Sequence, residues 1–174
     1  LNGNISAADD SIAYIYGTST GDTIDATGTA HIVVNNGGLA QGDSQGVEIT
    51  LRQNSFFGVD TTGSVLGNVS ARNASSTWIF GNLTGAVDLT GDSDLWVNVG
   101  GVINGEVSIT GDNQADLDNT TGAIDGTING NLTLTNDARL TLSATGAING
   151  NLISRNTSQS TVDGNLTGDL ALSS

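Results

Sequence analysis

An apolar-x-apolar pair following a glycine-rich turn recurs along this chain at nearly constant spacing, and no other feature limits its fold so tightly. The pairs begin at Ile5, Ile24, Ile49, Val69, Val87, Val107, Leu132, Leu152 and Leu170, at intervals of 19, 25, 20, 18, 20, 25, 20 and 18 residues. The run 25-20-18 occurs twice, so a period of 83 residues overlies one of about 20. Setting residue i against i+83 from Ile24 onward needs no gap. Gly63, Gly67, Asn68, Arg72, Asn73, Gly81, Asn82, Leu83, Thr84 and Gly85 then face identical residues. A block of four turns, residues 24–106, has been duplicated as 107–174, and each turn is a variant of one unit.

The unit reads as three short strands. Gly-x-apolar-x-Gly (around Val65, Leu83, Ile103 and Ile148) precedes the main pair, as in Gly85-Ala86-Val87-Asp88-Leu89. A polar run follows, then a second alternating pair such as Leu95-x-Val97, Leu140-x-Leu142 or Tyr14-x-Tyr16. Period-two alternation sends one side chain inward and the next outward. Strands this short are unstable alone. Coiled so that each stacks on its predecessor, they pair between turns and bury a continuous apolar column. The expected fold is all-β: a right-handed, single-stranded parallel β-helix of about eight rungs of 18–25 residues. Left-handed forms use strict hexapeptides in turns of fixed length, which the drifting rung lengths do not match.

Composition then excludes several functions. A net charge of −14, with no lysine and only Arg52, Arg72, Arg139 and Arg155 as basic residues, opposes binding to nucleic acid or an anionic membrane. No window approaches the roughly 18 consecutive apolar residues that a membrane helix needs. The absence of cysteine removes disulfide scaffolds and thiolate metal sites. The chain opens on "LNGNIS" and closes on "LALSS", both of which look like the interior of the repeat. A single β-helix segment of a longer polypeptide is therefore expected over residues 1–174.

Gly-Asn-rich, cysteine-free, lysine-poor rungs such as "GNLTGAVDLTGDSDLWVNVGG" and "TGAINGNLISRN" resemble the passenger domains of bacterial autotransporters of the AIDA-like and pertactin-like kind. The resemblance runs through essentially all 174 residues, although its motifs encode the rung and not an activity. It implies export to the cell surface, with adhesion or aggregation as the commonest role.

Motifs with possible chemistry are few. Gly42-Asp43-Ser44-Gln45-Gly46 fits G-x-S-x-G, but a nucleophile elbow needs a following helix and a histidine within reach. No helical periodicity follows, and the sole histidine, His31, occupies an ordinary rung position, so the match is attributed to chance. "GDSD" at 91–94 and "GDNQAD" at 111–116 present Asp92, Asp94, Asp112 and Asp116 as candidate hard-oxygen ligands for calcium. Neither matches a calcium-loop pattern, and solvated acidic loops are the simpler interpretation, with no cofactor required. Eight Asn-x-Ser/Thr sequons begin at Asn4, Asn68, Asn73, Asn82, Asn119, Asn131, Asn156 and Asn165. Five of them (Asn4, Asn68, Asn82, Asn131, Asn165) fall where a turn meets the first strand, which favours asparagine as a turn or stacking residue over glycosylation. A polysaccharide lyase or hydrolase would need a basic residue poised near acidic ligands, or close carboxylate pairs, and with no lysine and scattered arginines no such constellation stands out.

The aromatics are more informative. Leu95 and Val97 are matched with Ile12 and Tyr14 as inward residues, which turns Trp96 outward. Ile79 matches Val162, so Trp78 and Phe80 face Thr161 and Asp163 and also point out. The alternative is a shifted register that buries Trp78 and Phe80 and exposes Ile79. Trp78 and Trp96, one rung apart, are expected to stack on one outer face as a contact surface for protein or sugar.

The sequence thus leads to a non-enzymatic, extracellular adhesion or aggregation module at the bacterial surface. Its partner would be a host or neighbouring-cell surface protein or glycan, with self-association also open. The alternatives are a filament or coat subunit stacking end to end, and a carbohydrate-active enzyme.

Overall fold

The computed structural model describes residues 3–42, 46–98, 100–111, 114–116 and 126–174. The chain forms a right-handed parallel β-solenoid of about eight turns, and the described residues contain no helix. Each turn lays one strand on each of three faces. Face A carries Ile5–Ala7, Thr23–Ala26, Val47–Leu51, the second half of Ser64–Arg72, Val87–Thr90, Val107–Thr110, Leu132–Thr135, Leu152–Arg155 and Leu170–Ser173. Face B carries Ile12–Ile15, His31–Val34, Phe56–Val59, Ser76–Ile79, Asp94–Val97, Gln114–Asp116, Arg139–Leu142 and Gln159–Val162. Face C holds two- or three-residue strands, such as Asn82–Thr84 and Val102–Asn104. Ser64–Arg72 runs through Gly67 from face C onto face A, so these two faces form one continuous sheet.

The register reproduces the sequence period. Ile5, Ile24, Ile49, Val69, Val87, Val107, Leu132, Leu152 and Leu170 are successive partners in one face-A column. Two residues along, a second column runs through Ala26, Leu51, Ala71, Leu89, Ile109 and Leu134. Both are buried through the middle of the solenoid. Face B adds Ile32, Phe57, Leu95 and Leu140, with Val34, Val59, Ile79, Val97 and Leu142 beside them; face C adds Val65, Leu83, Ile103 and Ile148. The interior is thus a stack of aliphatic layers, in which each buried Val, Leu or Ile contributes about 1.5–3 kcal/mol. One large ring, Phe57, lies among them.

The corners explain the composition. Between faces A and B each described turn uses one residue with positive φ, including Asp9 (54°), Asn73 (63°), Asn136 (62°) and Asn156 (59°), or a glycine such as Gly91 (73°). Asparagine and aspartate tolerate this conformation best among non-glycine residues. A small residue follows and is buried: Ala30, Ser55, Ser75, Ser93 or Ala138. The serines also close the corner, Ser75 Oγ donating to the Arg72 carbonyl (3.0 Å) and Ser93 Oγ to that of Thr90 (2.9 Å).

At the other two corners the backbone itself rests on the turn below. A Cβ at Gly101 would sit 2.1 Å from the Ile79 carbonyl oxygen, and one at Gly105 would sit 2.0 Å from that of Gly85. No side chain fits there. The asparagine after the second of these glycines is a structural device as well. Asn68 Oδ1 accepts the N–H of Ala86 one turn on (2.9 Å), Asn131 Oδ1 that of Asn151 (3.0 Å), and Asn4 Oδ1 those of Asp22 and Thr23 (both 3.1 Å). Asn104, Asn129 and Asn149 form a ladder, Asn129 Nδ2 donating to Asn104 Oδ1 (2.7 Å) and Asn149 Nδ2 to Asn129 Oδ1 (2.8 Å). Asn73 and Asn156 are the left-handed corner residues themselves, while Asn82 and Asn165 lie exposed on face C. Asn119 lies outside the described residues.

One sequence-based assignment is corrected. Ile12 and Tyr14 are not inward: they are 59% and 53% exposed, and Tyr16 is 58% exposed. The inward residue of that strand is Ile15, and the register aligns Ala13 with Ile32 and Ile15 with Val34. Residues 12–16 are apolar or aromatic throughout, so alternation alone fits either phase. Pairing to the next turn selects the other one.

Candidate functional site

The outer side of face B gathers most of the chain's aromatic side chains. Inward Phe57 and Val59 leave Phe56 outside and put Gly58 in the outward column, where the Phe56 ring covers it, and inward Thr77 and Ile79 leave Trp78 outside. Ile79 is fully buried, which excludes the shifted register. Trp78 pairs with Trp96 on the next strand, and the ring centroids stand 5.9 Å apart. Phe80, just past the strand end, is half-buried with its centroid 6.4 Å from Trp78. Trp78, Phe80 and Trp96 therefore form one outward cluster. Trp96 is outward as the sequence implied, although Leu95 aligns with Thr77 and, through the stack, with Ala13, and not with Ile12.

Sequence reasoning missed two members. Phe56 packs edge-on against Trp78 (5.5 Å, 74°), and His31 lies 5.2 Å from Phe56. The path His31–Phe56–Trp78–Trp96 thus crosses four consecutive turns, with Phe80 as a branch. The available signal was the 83-residue alignment, which sets Phe56 against Arg139, a residue with no place in an apolar column. Aromatic pairs of this kind contribute about 0.5–1.5 kcal/mol beyond their burial.

Within this cluster lies a cleft of about 290 Å³ lined by Val33, Asn35, Phe56, Gly58, Val59, Asp60, Trp78 and Phe80. Its floor is Gly58, which pairs with Val33 on one side and Trp78 on the other. The outer column therefore has a missing side chain between an aliphatic and an indole. The Phe56 ring leans over the gap, and a Cβ at Gly58 would meet its Cε1 at 2.9 Å. At the opposite end stands Asp60, whose Oδ1 accepts the N–H of Thr61 (2.8 Å), which fixes the carboxylate at the rim.

The calcium candidates do not converge. Asp92 is exposed at the corner, and Asp94 is half-buried in the column of Ser76 and Gln114. Burial raises the pKa of Asp94 above the usual carboxylate range, and the neighbouring Asp92 charge adds to the shift. Asp116 is aligned with Trp96, in a different column from Asp94, while Asp112 lies outside the described residues. Among the described residues no group of three or more His, Asp or Glu side chains is placed to hold a metal ion. Ser44 also lies outside them, and His31 is committed to the aromatic strip.

No family model matches this sequence, and no curated protein or solved structure matches it.

Proposed function

We propose that this chain is a non-catalytic contact module displayed outside the cell, in keeping with the autotransporter passenger domains that its rungs resemble. The aromatic strip of face B is the surface that meets a cell-surface protein or glycan. One observation carries this reading. Aromatic residues make up 4% of the sequence, yet Phe56, Trp78, Phe80 and Trp96 form one contiguous outward group. A solenoid gains little stability from exposing an indole, and surface clusters of this kind mark contact sites.

The test uses beads coated with the protein and scored for retention on intact cell layers and for clumping with one another. Trp96→Ala is expected to cost about 1 kcal/mol or less in stability, as for one lost aromatic pair, while retention or clumping falls severalfold. Unchanged retention and clumping, in a variant whose melting temperature is preserved, would remove the aromatic strip as the contact surface.

A further inference from the structure

Resting on that reading of face B, we infer that the Gly58 cleft is a binding site for an organic cation of the quaternary ammonium type, the choline head group being the simplest form. Three features of the cleft converge on this class. Three rings line it: Trp78, with Phe56 edge-on to it at 5.5 Å and Phe80 tilted beside it at 6.4 Å. The face of an aromatic ring attracts a cation through its quadrupole, most strongly for tryptophan. With no side chain at Gly58 the Phe56 ring lies over that position, where a Cβ would meet its Cε1 at 2.9 Å, and it lines the cleft between Val33 and Trp78, which stand two strand spacings apart, roughly 9–10 Å between backbones. A compact alkylated ammonium fits such a slot.

Charge decides between occupants. The only ionisable side chain in the lining is Asp60, and it is anionic. The whole chain carries −14 with no lysine, so cations are concentrated at its surface and anions repelled. A neutral sugar presents hydroxyl groups around its edge, and each needs a polar partner on displacing water. Here Asn35 and Asp60 are the only polar side chains, the rest of the lining being ring, aliphatic side chain and glycine. A quaternary ammonium needs no directional hydrogen bonds at all, only ring faces and a nearby carboxylate.

The molecule contains its own control. Four turns on, the same register positions hold Arg139, Thr141, Ser143, Thr161 and Asp163 in place of Phe56, Gly58, Asp60, Trp78 and Phe80. The second copy has neither the rings nor the gap, and it places a cation where Phe56 lies.

The experiment is an NMR titration of the folded chain followed on its indole N–H signals, of which Trp78 and Trp96 supply the only two. Choline is added in one series, its uncharged isostere 3,3-dimethylbutan-1-ol in a second, and the neutral disaccharide cellobiose in a third. Choline is expected to shift the Trp78 signal saturably and to bind about tenfold more tightly than the isostere, the preference that a cation–π contact with one carboxylate supplies. Asp60→Asn should weaken choline severalfold and leave the isostere unchanged, while Gly58→Thr should abolish both by displacing the Phe56 ring from the cleft. Equal affinity for choline and the isostere would overturn the inference. So would a Trp78 shift with cellobiose and none with choline. In either case, loss of cell retention in Trp96→Ala would still support the proposed contact role, so the two readings fail separately.

Discussion

Residues 56–80 and residues 139–163 are the same stretch of the repeat with opposite exteriors. Inside, they agree in kind: Phe57 and Leu140, Val59 and Leu142, and Ile79 and Val162 occupy equivalent inward positions, and Gly63 and Gly81 recur as Gly146 and Gly164. Outside, Phe56, Gly58, Trp78 and Phe80 of the first copy become Arg139, Thr141, Thr161 and Asp163 in the second. Folding constrains only the inward positions and the corners, where backbones stack within van der Waals contact. The outward positions are free to differ, and in one copy they have become an aromatic face. The difference separates residues that hold the solenoid from residues that give it something to do.

If that separation is right, an interior change should have the largest effect. Val87 is 1% exposed and stands between Val69 and Val107. Val87→Asp buries a charge with no partner in a column flanked by aliphatic layers. The expected loss exceeds about 4 kcal/mol, read as collapse of the cooperative denaturant transition. A Val87→Asp variant that unfolds cooperatively near the wild-type midpoint would break the division between inside and outside.

The exterior exchange is the sharper experiment. Phe56→Arg, Trp78→Thr and Phe80→Asp together write the second copy's surface onto the first. The protein should remain folded, with a loss of about 1–3 kcal/mol from the aromatic pairs, while cell retention and clumping disappear. Unfolding of this triple variant would mean that the strip is structural, and that the second copy holds together by means the first lacks.

Much of this architecture was legible because a solenoid repeats its constraints. The nine face-A pairs define the register, since a strand shifted by one residue would turn every apolar side chain to solvent. The glycine corners were visible as punctuation, although their cause, a carbonyl oxygen about 2 Å from any added Cβ, emerges only from the stacked backbones. Alternation failed at Ile12–Tyr16, where polar residues that would mark the outside are missing. The site was half legible for the same reason. Trp78 and Trp96 have polar or plainly inward neighbours, whereas Phe56 follows a serine and precedes a second phenylalanine. Gly58 resembled another turn glycine, yet it lies in mid-strand with no positive φ, and only the register shows that it leaves a gap in the outer column.

A smaller effect tests the interior near the aromatic strip. Thr77 is fully buried in the column of Ile32, Phe57 and Leu95, and its Oγ1 has no hydrogen-bond partner. The residue four turns on is Ser160, again a hydroxyl. Thr77→Val keeps the shape and removes the unsatisfied group, so it should stabilise the protein by about 1 kcal/mol, raising the melting temperature by about 2–4 °C for a chain of this size. A destabilised Thr77→Val would show that the hydroxyl has an energetic role in the core, and that the column is not governed by apolar burial alone.

The smallest effect concerns Asp94, at the edge of the strip. It follows buried Ser93, precedes buried Leu95, and is half-buried with Asp92 two residues away. Desolvation raises its pKa in the folded state, and repulsion from Asp92 adds to the rise. The folded protein therefore holds this proton more tightly than the unfolded chain does. Stability from this group is greatest while the carboxyl is protonated. It declines as pH rises from the ordinary carboxylate range through the raised value, and above that the cost of the charged form is constant. Asp94→Asn leaves a neutral side chain at every pH. The variant and the wild type should melt together at about pH 3 and diverge as pH approaches about 7, the variant becoming the more stable. The gap should be small, because the group keeps contact with solvent and exposed charges are screened. No other ionisable residue is changed, so the difference between the two melting curves reports Asp94 together with its repulsion from Asp92. A wild type that gains on the variant as pH rises would mean that its carboxylate has a favourable partner, and that this edge of face B is built around a charge.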